Sequence, residues 1–223
     1  MFLSKLMINV RSREFRRDYA NVHDMHRTIM RAYPSVDADT QARLQHKVLW
    51  RLDTTGIGYT QYVQSYTEPS WGDLPAGLLL SPAQVQPLAP VLDAISPGRK
   101  FHFRLLANPT RSARVENGQD VRKRRAHTTP EAQIQWLISR GERDGFAIPT
   151  ARSGEPDVAP SPVPTLVGQK KEQGKITVVP VRFDGHLIVT DAEAFTEALI
   201  NGVGRAKAYG CGLISLAPPR VNR

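Results

Sequence analysis

His23 and His26 stand three residues apart in the segment VHDMHRTIMR. Histidine is the side chain best matched to proton transfer near neutral pH. On a helix, that spacing puts both imidazoles on adjacent parts of one face. Two such groups suit a reaction that needs one base and one acid. Cleavage of RNA by its own 2′-OH is of this kind: a base takes the hydroxyl proton, an acid protonates the departing 5′-oxygen, and no metal is required. A cation would stabilise charge on the phosphorane, and Arg27 and Arg31 follow in the same segment. Without further context the pair also fits a plain polar helix face. Zinc fits less well, because no cysteine or carboxylate motif supplies the remaining ligands.

The rest of the chain is rich in groups that could hold a polyanion. Thirty Lys and Arg stand against 21 Asp and Glu, a net charge of +9 over 223 residues. Such a balance points to a phosphate-bearing partner, since neutralising phosphates releases counterions. The cations are clustered. Arg11, Arg13, Arg16 and Arg17 lie in RSREFRRD, read as a basic loop. Arg111 and Arg114 precede RKRRAH, which holds Arg122, Lys123, Arg124 and Arg125. Lys170, Lys171 and Lys175 lie in GQKKEQGK. The tail GVGRAKAYGCG carries Arg205 and Lys207 among glycines, where Gly204 and its neighbours could let backbone N–H groups approach a partner closely. Its glycine spacing fits neither the Walker A pattern nor the dinucleotide fingerprint. Each cluster, taken alone, also fits a solvated face.

Several classes are excluded. Cys211 is the one cysteine, so no disulfide framework or thiolate cluster is expected. The opening MFLSKLMINVRSR runs from apolar to basic, the reverse of a signal peptide. No stretch approaches eighteen apolar residues, so no membrane span is expected. We expect a cytoplasmic protein without metal or cofactor.

The elements that must position these groups follow from periodicity. A strand over 2–10, a helix over 22–33 closed by Pro34, and strands over 46–53 and 59–66 come first. Ser81, Pro82 and Gln84 suggest a capped short helix, and 100–107 alternates as a strand does. The second half repeats the order: a basic strand over 121–127, a helix from Thr129-Pro130, a hairpin over 176–189 turning at Asp184-Gly185, a helix capped by Asp191 and ended by Gly202, and a strand over 213–216. Residues 148–174, with five prolines, read as a mobile loop whose basic end could be a hairpin tip. Two βαββαβ units give an α+β protein of two tandem ferredoxin-like, RRM-like domains, 1–115 and 116–223.

With that frame, whole blocks of sequence resemble the CasE family of CRISPR precursor-RNA endoribonucleases, subunits of type I-E Cascade. The blocks are LSKLMINVRSREFRRDYANVHDMHRTIMRAYP, WRLD, VQSYTEPSW, FRLLANPT, TTPEAQIQWLISRGERDGF and VRFDGHLIVTDAEAFTEALINGVGRAKAYGCGLISLAP. They cover the chain except about 72–98 and 149–174. The resemblance implies an enzyme that binds the CRISPR repeat RNA hairpin and cuts at the 3′ side of its stem without a metal. It then stays bound to the crRNA with the other Cascade subunits, and is a monomer when free. It makes His26 the main catalytic residue, matches Arg31 to a basic residue further along the helix, and gives Lys170, Lys171 and Lys175 the part of a basic hairpin entering the RNA groove. The family commonly has a tyrosine where His23 stands, which leaves open whether His23 shares the proton transfers. The other class to weigh is a non-catalytic RNA-binding subunit of the same fold.

Overall fold

The computed structural model describes residues 1–36, 42–56, 58–114, 122–170 and 174–219. The first sheet opens on β1 (Phe2–Ile8), whose Ser4, Leu6 and Ile8 are buried in alternation. Two helices follow. The run RSREFRRD, expected as a loop, is α1 (Arg13–Ala20): Ser12 caps it by accepting from the Phe15 N–H, and only Phe15 and Asp18 turn inward. Asn21 then caps α2 (Val22–Met30) by accepting from the His23 N–H. Val22, Met25 and Ile29 form the buried stripe of α2, which ends before the expected Tyr33. A single turn, α3 (Ala42–Gln45), leads into the hairpin of β2 (Leu49–Thr55) and β3 (Gly58–Ser65).

The fourth strand of this sheet, β4 (Gln84–Pro87), lies where a capped helix was expected. It pairs with β1 from Lys5↔Gln84 to Phe2↔Pro87. An edge strand tolerates Pro87, because proline has no N–H to leave unbonded there. The short helix comes later, as α4 (Ala89–Asp93), with Pro90 in its first turn. The antiparallel sheet has the order β2-β3-β1-β4 of a ferredoxin-like domain.

β5 (Lys100–Ala107) does not belong to that sheet, contrary to the expected division near residue 115. It is an inner strand of the second sheet, pairing with β12 (Val181–Val189) on one side and β13 (Ile214–Ala217) on the other. The division between sheets therefore falls between Asp93 and Lys100. The basic run at 122–126 is not the first strand of the second domain either. It is β7 (Arg122–Ala126), paired with β6 (Thr110–Arg114) in a separate hairpin. After α5 (Pro130–Asp144) come β8 (Phe146–Ala147) and β9 (Val158–Pro162), both pairing with β12. The proline-rich stretch thus holds β9 and also β10 (Leu166–Lys170), which pairs with β11 (Gly174–Val178). β12 runs straight through Asp184-Gly185. Gly185 is a close approach rather than a turn, since a Cβ there would collide with the Asp157 carbonyl. With α6 (Ala192–Asn201) before β13, the second domain is also ferredoxin-like, and the protein is an α+β tandem of two such domains.

Each domain has its own apolar core, Phe103, Phe183 and Phe195 at the centre of one, Leu6, Ile29 and Val63 in the other. Across the seam, apolar contacts of Leu166 and Tyr209 with the first core are joined by a set of polar ones. Arg51 of β2 is 2 % exposed. It pairs with Asp53 at 2.7 Å and reaches into the second domain, donating to the carbonyls of Arg104 and Leu213, each at 3.3 Å, and to Ser215 Oγ at 3.0 Å. Asp53 also meets Arg104 at 3.5 Å, and Arg104 meets Asp184 at 2.6 Å. Gln64 Nε2 donates to the Leu199 carbonyl at 2.7 Å. Among the described residues, no helix is long and apolar enough to cross a membrane. Breaking a buried, hydrogen-bonded ion pair leaves polar groups unsatisfied, so Arg51→Met should cost roughly 3 kcal/mol and lower the melting temperature by on the order of 10 °C. Calorimetry of the free protein checks this. An unchanged melting temperature would remove Arg51 from its role at the seam.

Candidate active site

α2 carries the histidines of the first domain into a corner built by the second. The N-terminal end of α2 abuts β10: Asn21 Oδ1, besides capping the helix, accepts from the Gln169 N–H at 3.2 Å. Gly168 lies so close that a Cβ would come 3.3 Å from the His23 nitrogen. The β10–β11 hairpin is held at its base by a small buried cluster of Leu106, Val178 and Cys211. Burial pushes the Cys211 thiol up to about 12, so it serves as packing and not as a nucleophile.

The other flank of α2 packs on the turn Lys207–Tyr209 in the glycine-rich tail. Two of the glycines there back onto tryptophans, Gly210 at the seam between domains and Gly204 within the second domain. Gly210 has φ 84°, and a Cβ would stand 2.9 Å from the Trp50 ring. Gly204 backs onto the ring of Trp136, which a Cβ would meet at 3.2 Å. Their close approach is to the protein's own tryptophans, whereas the sequence suggested an approach to a partner.

His26 sits largely enclosed in this corner. Burial is the main cause that lowers its pKa from an ordinary 6.5 to about 4, followed by the nearby positive charge of Arg43 and then by His23. Its buried Nδ1 has no hydrogen-bond partner among the described residues, an arrangement found where a group is kept free for chemistry. The imidazole is therefore neutral at pH 7. Arg43, on α3, is the cation that acts most strongly on it, and composition gave no sign of this residue. Its signal in the sequence is only that a lone arginine sits in a short polar segment after Pro34. Arg31 stands at the exposed C-terminal end of α2.

The other expected contact residues are spread over α1, α2, the β6–β7 and β10–β11 hairpins and the glycine-rich tail. Arg13, Arg16 and Arg17 project from α1, with Arg11 in the turn before it; Arg17 also pairs with Asp18 at 2.7 Å. Arg27, exposed on α2, lies 3.5 Å from Asp24. In the β6–β7 hairpin the exposed Arg111 and Arg125 are register partners; Arg114 and Arg122 occupy paired positions at the other end of the ladder, with Lys123 and the exposed Arg124 between. Like charges directly across a ladder destabilise it, and a polyanion relieves that. Lys170 and Lys175 flank the tip of β10–β11, Lys175 being exposed; Lys171 lies outside the described residues. Arg205 is exposed, and Lys207 is half-buried beside α2.

Fold and site together define a tandem ferredoxin-like protein with a neutral histidine recessed among cations, a class suited to holding and cutting RNA. Residues 1–218 match the model of the CRISPR associated protein family, and the chain belongs to that family. It is 37% identical over 225 residues to the CRISPR-associated endoribonuclease Cse3 of Thermus thermophilus, covering 98% of this chain and 100% of that one. A structure of CRISPR endoribonuclease Cse3 bound to a 19 nt RNA superposes with a TM-score of 0.82 at 34% identity, covering 98% of this chain and 100% of that one. A chain of a CRISPR RNA-guided surveillance complex, pre-nicking, gives a TM-score of 0.70 at 26% identity, with 98% of this chain and 100% of that one covered.

A histidine that resists protonation when folded has a signature in stability. Its folded pKa lies below its unfolded one, so the unfolded chain binds more protons in between, and stability is lost as pH falls from about 6.5 towards 4. His26→Gln should flatten that part of the stability curve. Denaturant titrations from pH 7 to pH 4 check it, and an equal slope in wild type and variant would mean His26 is not held neutral.

Proposed function

We propose that this chain is an endoribonuclease that binds the CRISPR repeat RNA hairpin in the cytoplasm and cuts it without a metal. The cut lies at the 3′ side of the stem, and the protein then stays on the crRNA within the Cascade surveillance complex. The observation that carries the catalytic part is the unpartnered, neutral His26 imidazole at the corner between the domains. The resemblance to an RNA-bound Cse3 endoribonuclease over nearly the whole chain supports the substrate.

A neutral imidazole can accept a proton but has none to spare for a leaving group. His26 is therefore the base that takes the proton of the 2′-OH. That oxygen attacks the adjacent phosphorus, the P–O5′ bond breaks, and the upstream fragment keeps a 2′,3′-cyclic phosphate. The departing 5′-oxygen takes a proton from His23, one helical turn away. The exposed arginines of α1, the β6–β7 hairpin and the lysines of β10–β11 hold the RNA backbone on either side.

Cleavage should proceed in EDTA and leave 5′-hydroxyl ends. His26→Ala should slow single-turnover cleavage roughly 10²- to 10⁴-fold with RNA affinity little changed. A 5′-sulfur leaving group needs no acid, so it should rescue His23→Ala and not His26→Ala. Because the free enzyme's base titrates near 4, kcat/KM should not fall from pH 7 to about 5.5, where an ordinary histidine base would already lose activity. Full activity of His26→Ala would move the chemistry elsewhere. Tight binding by a wild-type protein that cuts nothing would leave the RNA-binding subunit as the function.

A further inference from the structure

Beside the histidine corner is a cavity of about 130 Å³ whose walls come from both domains. Arg43 and Lys47 line it from the region of α3, Lys207 from the glycine-rich tail, and Asn201 from the end of α6, with Leu49 as its apolar floor. Lys47 Nζ donates to Asn201 Oδ1 at 2.7 Å. Arg43 has no carboxylate partner among the described residues, although it is half-buried, and burial pulls its pKa down. Lys207 is lowered by burial first, then by the charges of Arg43, Arg140 and Lys47, with Asp144 acting the other way. Asp144 lies 4.0 Å from Arg140. Asn201 Nδ2 in turn donates to Glu197 Oε2 at 3.1 Å. Among the described residues, none of the three cations lining the cavity forms an ion pair with a carboxylate, an arrangement that favours the entry of an anion.

We infer that this cavity is a phosphate site, formed by Arg43 and Lys207 with Lys47 and Asn201 behind them, which holds the RNA backbone phosphate next to the one being cut. Its size accommodates a phosphate group. Its position suits the reaction, since the turn bearing Lys207 packs on α2 and Arg43 is the charge felt most by His26. A guanidinium offers paired N–H groups to two phosphate oxygens, while the ammonium of Lys207 adds a point charge. Anchoring a neighbouring phosphate fixes the sugar whose 2′-OH must line up with the P–O5′ bond, so the site acts on the rate through alignment. The inference rests on the nuclease reading above and adds to it a subsite of that reaction.

The test uses full-length Arg43→Gln and Lys207→Gln, singly and together, in single-turnover cleavage at saturating protein. Each is assayed on repeat RNA and on the same RNA carrying one neutral methylphosphonate at a time, at the linkages on either side of the cut. The double variant should cut unmodified RNA about 10- to 100-fold more slowly. At one linkage the methylphosphonate should slow wild type by a similar factor and add nothing in the double variant, because the two changes remove the same contact. The variants should melt at the same temperature as wild type or higher, since like charges have been separated. Additive losses at every linkage, a double variant as fast as wild type, or a lowered melting temperature would each overturn the phosphate site and leave the nuclease reading standing. A wild type unable to cut repeat RNA would bring down both.

Discussion

The burial of Arg51 between the two domains is the constraint on which the site depends. A guanidinium 2 % exposed is tolerable only if each donor finds an acceptor, and its acceptors lie on both sides of the seam. The first domain supplies Asp53; the second supplies two carbonyls and a serine hydroxyl. Because these bonds are directional, they fix how one sheet sits against the other in a way that apolar contact would not. α2 comes from the first domain, whereas the β10–β11 hairpin and the turn at 207–209 come from the second. The corner around His26 exists only in that relative placement.

Within the corner, charge is arranged against the protein's own stability. Arg43, Lys47, Lys207 and Arg140 lie close enough to depress one another's proton affinity or that of a neighbour. Arg111 and Arg125 are set opposite each other across a ladder. A fold selected for stability alone would intersperse carboxylates. Here the balancing charge is left to a partner with regularly spaced phosphates, and Arg43 adds to the burial that keeps His26 deprotonated.

Much of the fold was legible in the residues. Asp191 and Thr129 announce their helices as N-caps, Gly202 ends one, and the alternation of Phe101, Phe103 and Leu105 marks a strand. Which sheet that strand joins was not legible, because alternation reports a buried face and not a partner. α1 was missed since six of its eight residues are charged or small, and of its two aromatics only Phe15 turns inward while Tyr19 stays exposed. β4 was missed because Ser81-Pro82 imitates a helix start, and only the open edge of β1 decides for a strand. The histidine pair was found from residue type and spacing. Arg43 was not: its charge reaches His26 only through the fold, and nothing local in the sequence signals that.

The placement of β13 at the seam gives the order of synthesis a meaning. Everything the first sheet needs has been made once Pro87 leaves the ribosome, and that sheet can close while the second domain is still being translated. At that stage Arg51 has Asp53 but neither the Leu213 carbonyl nor the Ser215 hydroxyl, which arrive with the last strand. The first domain must therefore wait with part of its hydrogen bonding deferred to water. The histidine corner is completed only as β13 docks, so a nascent chain cannot acquire its full site before Ser215 has been made.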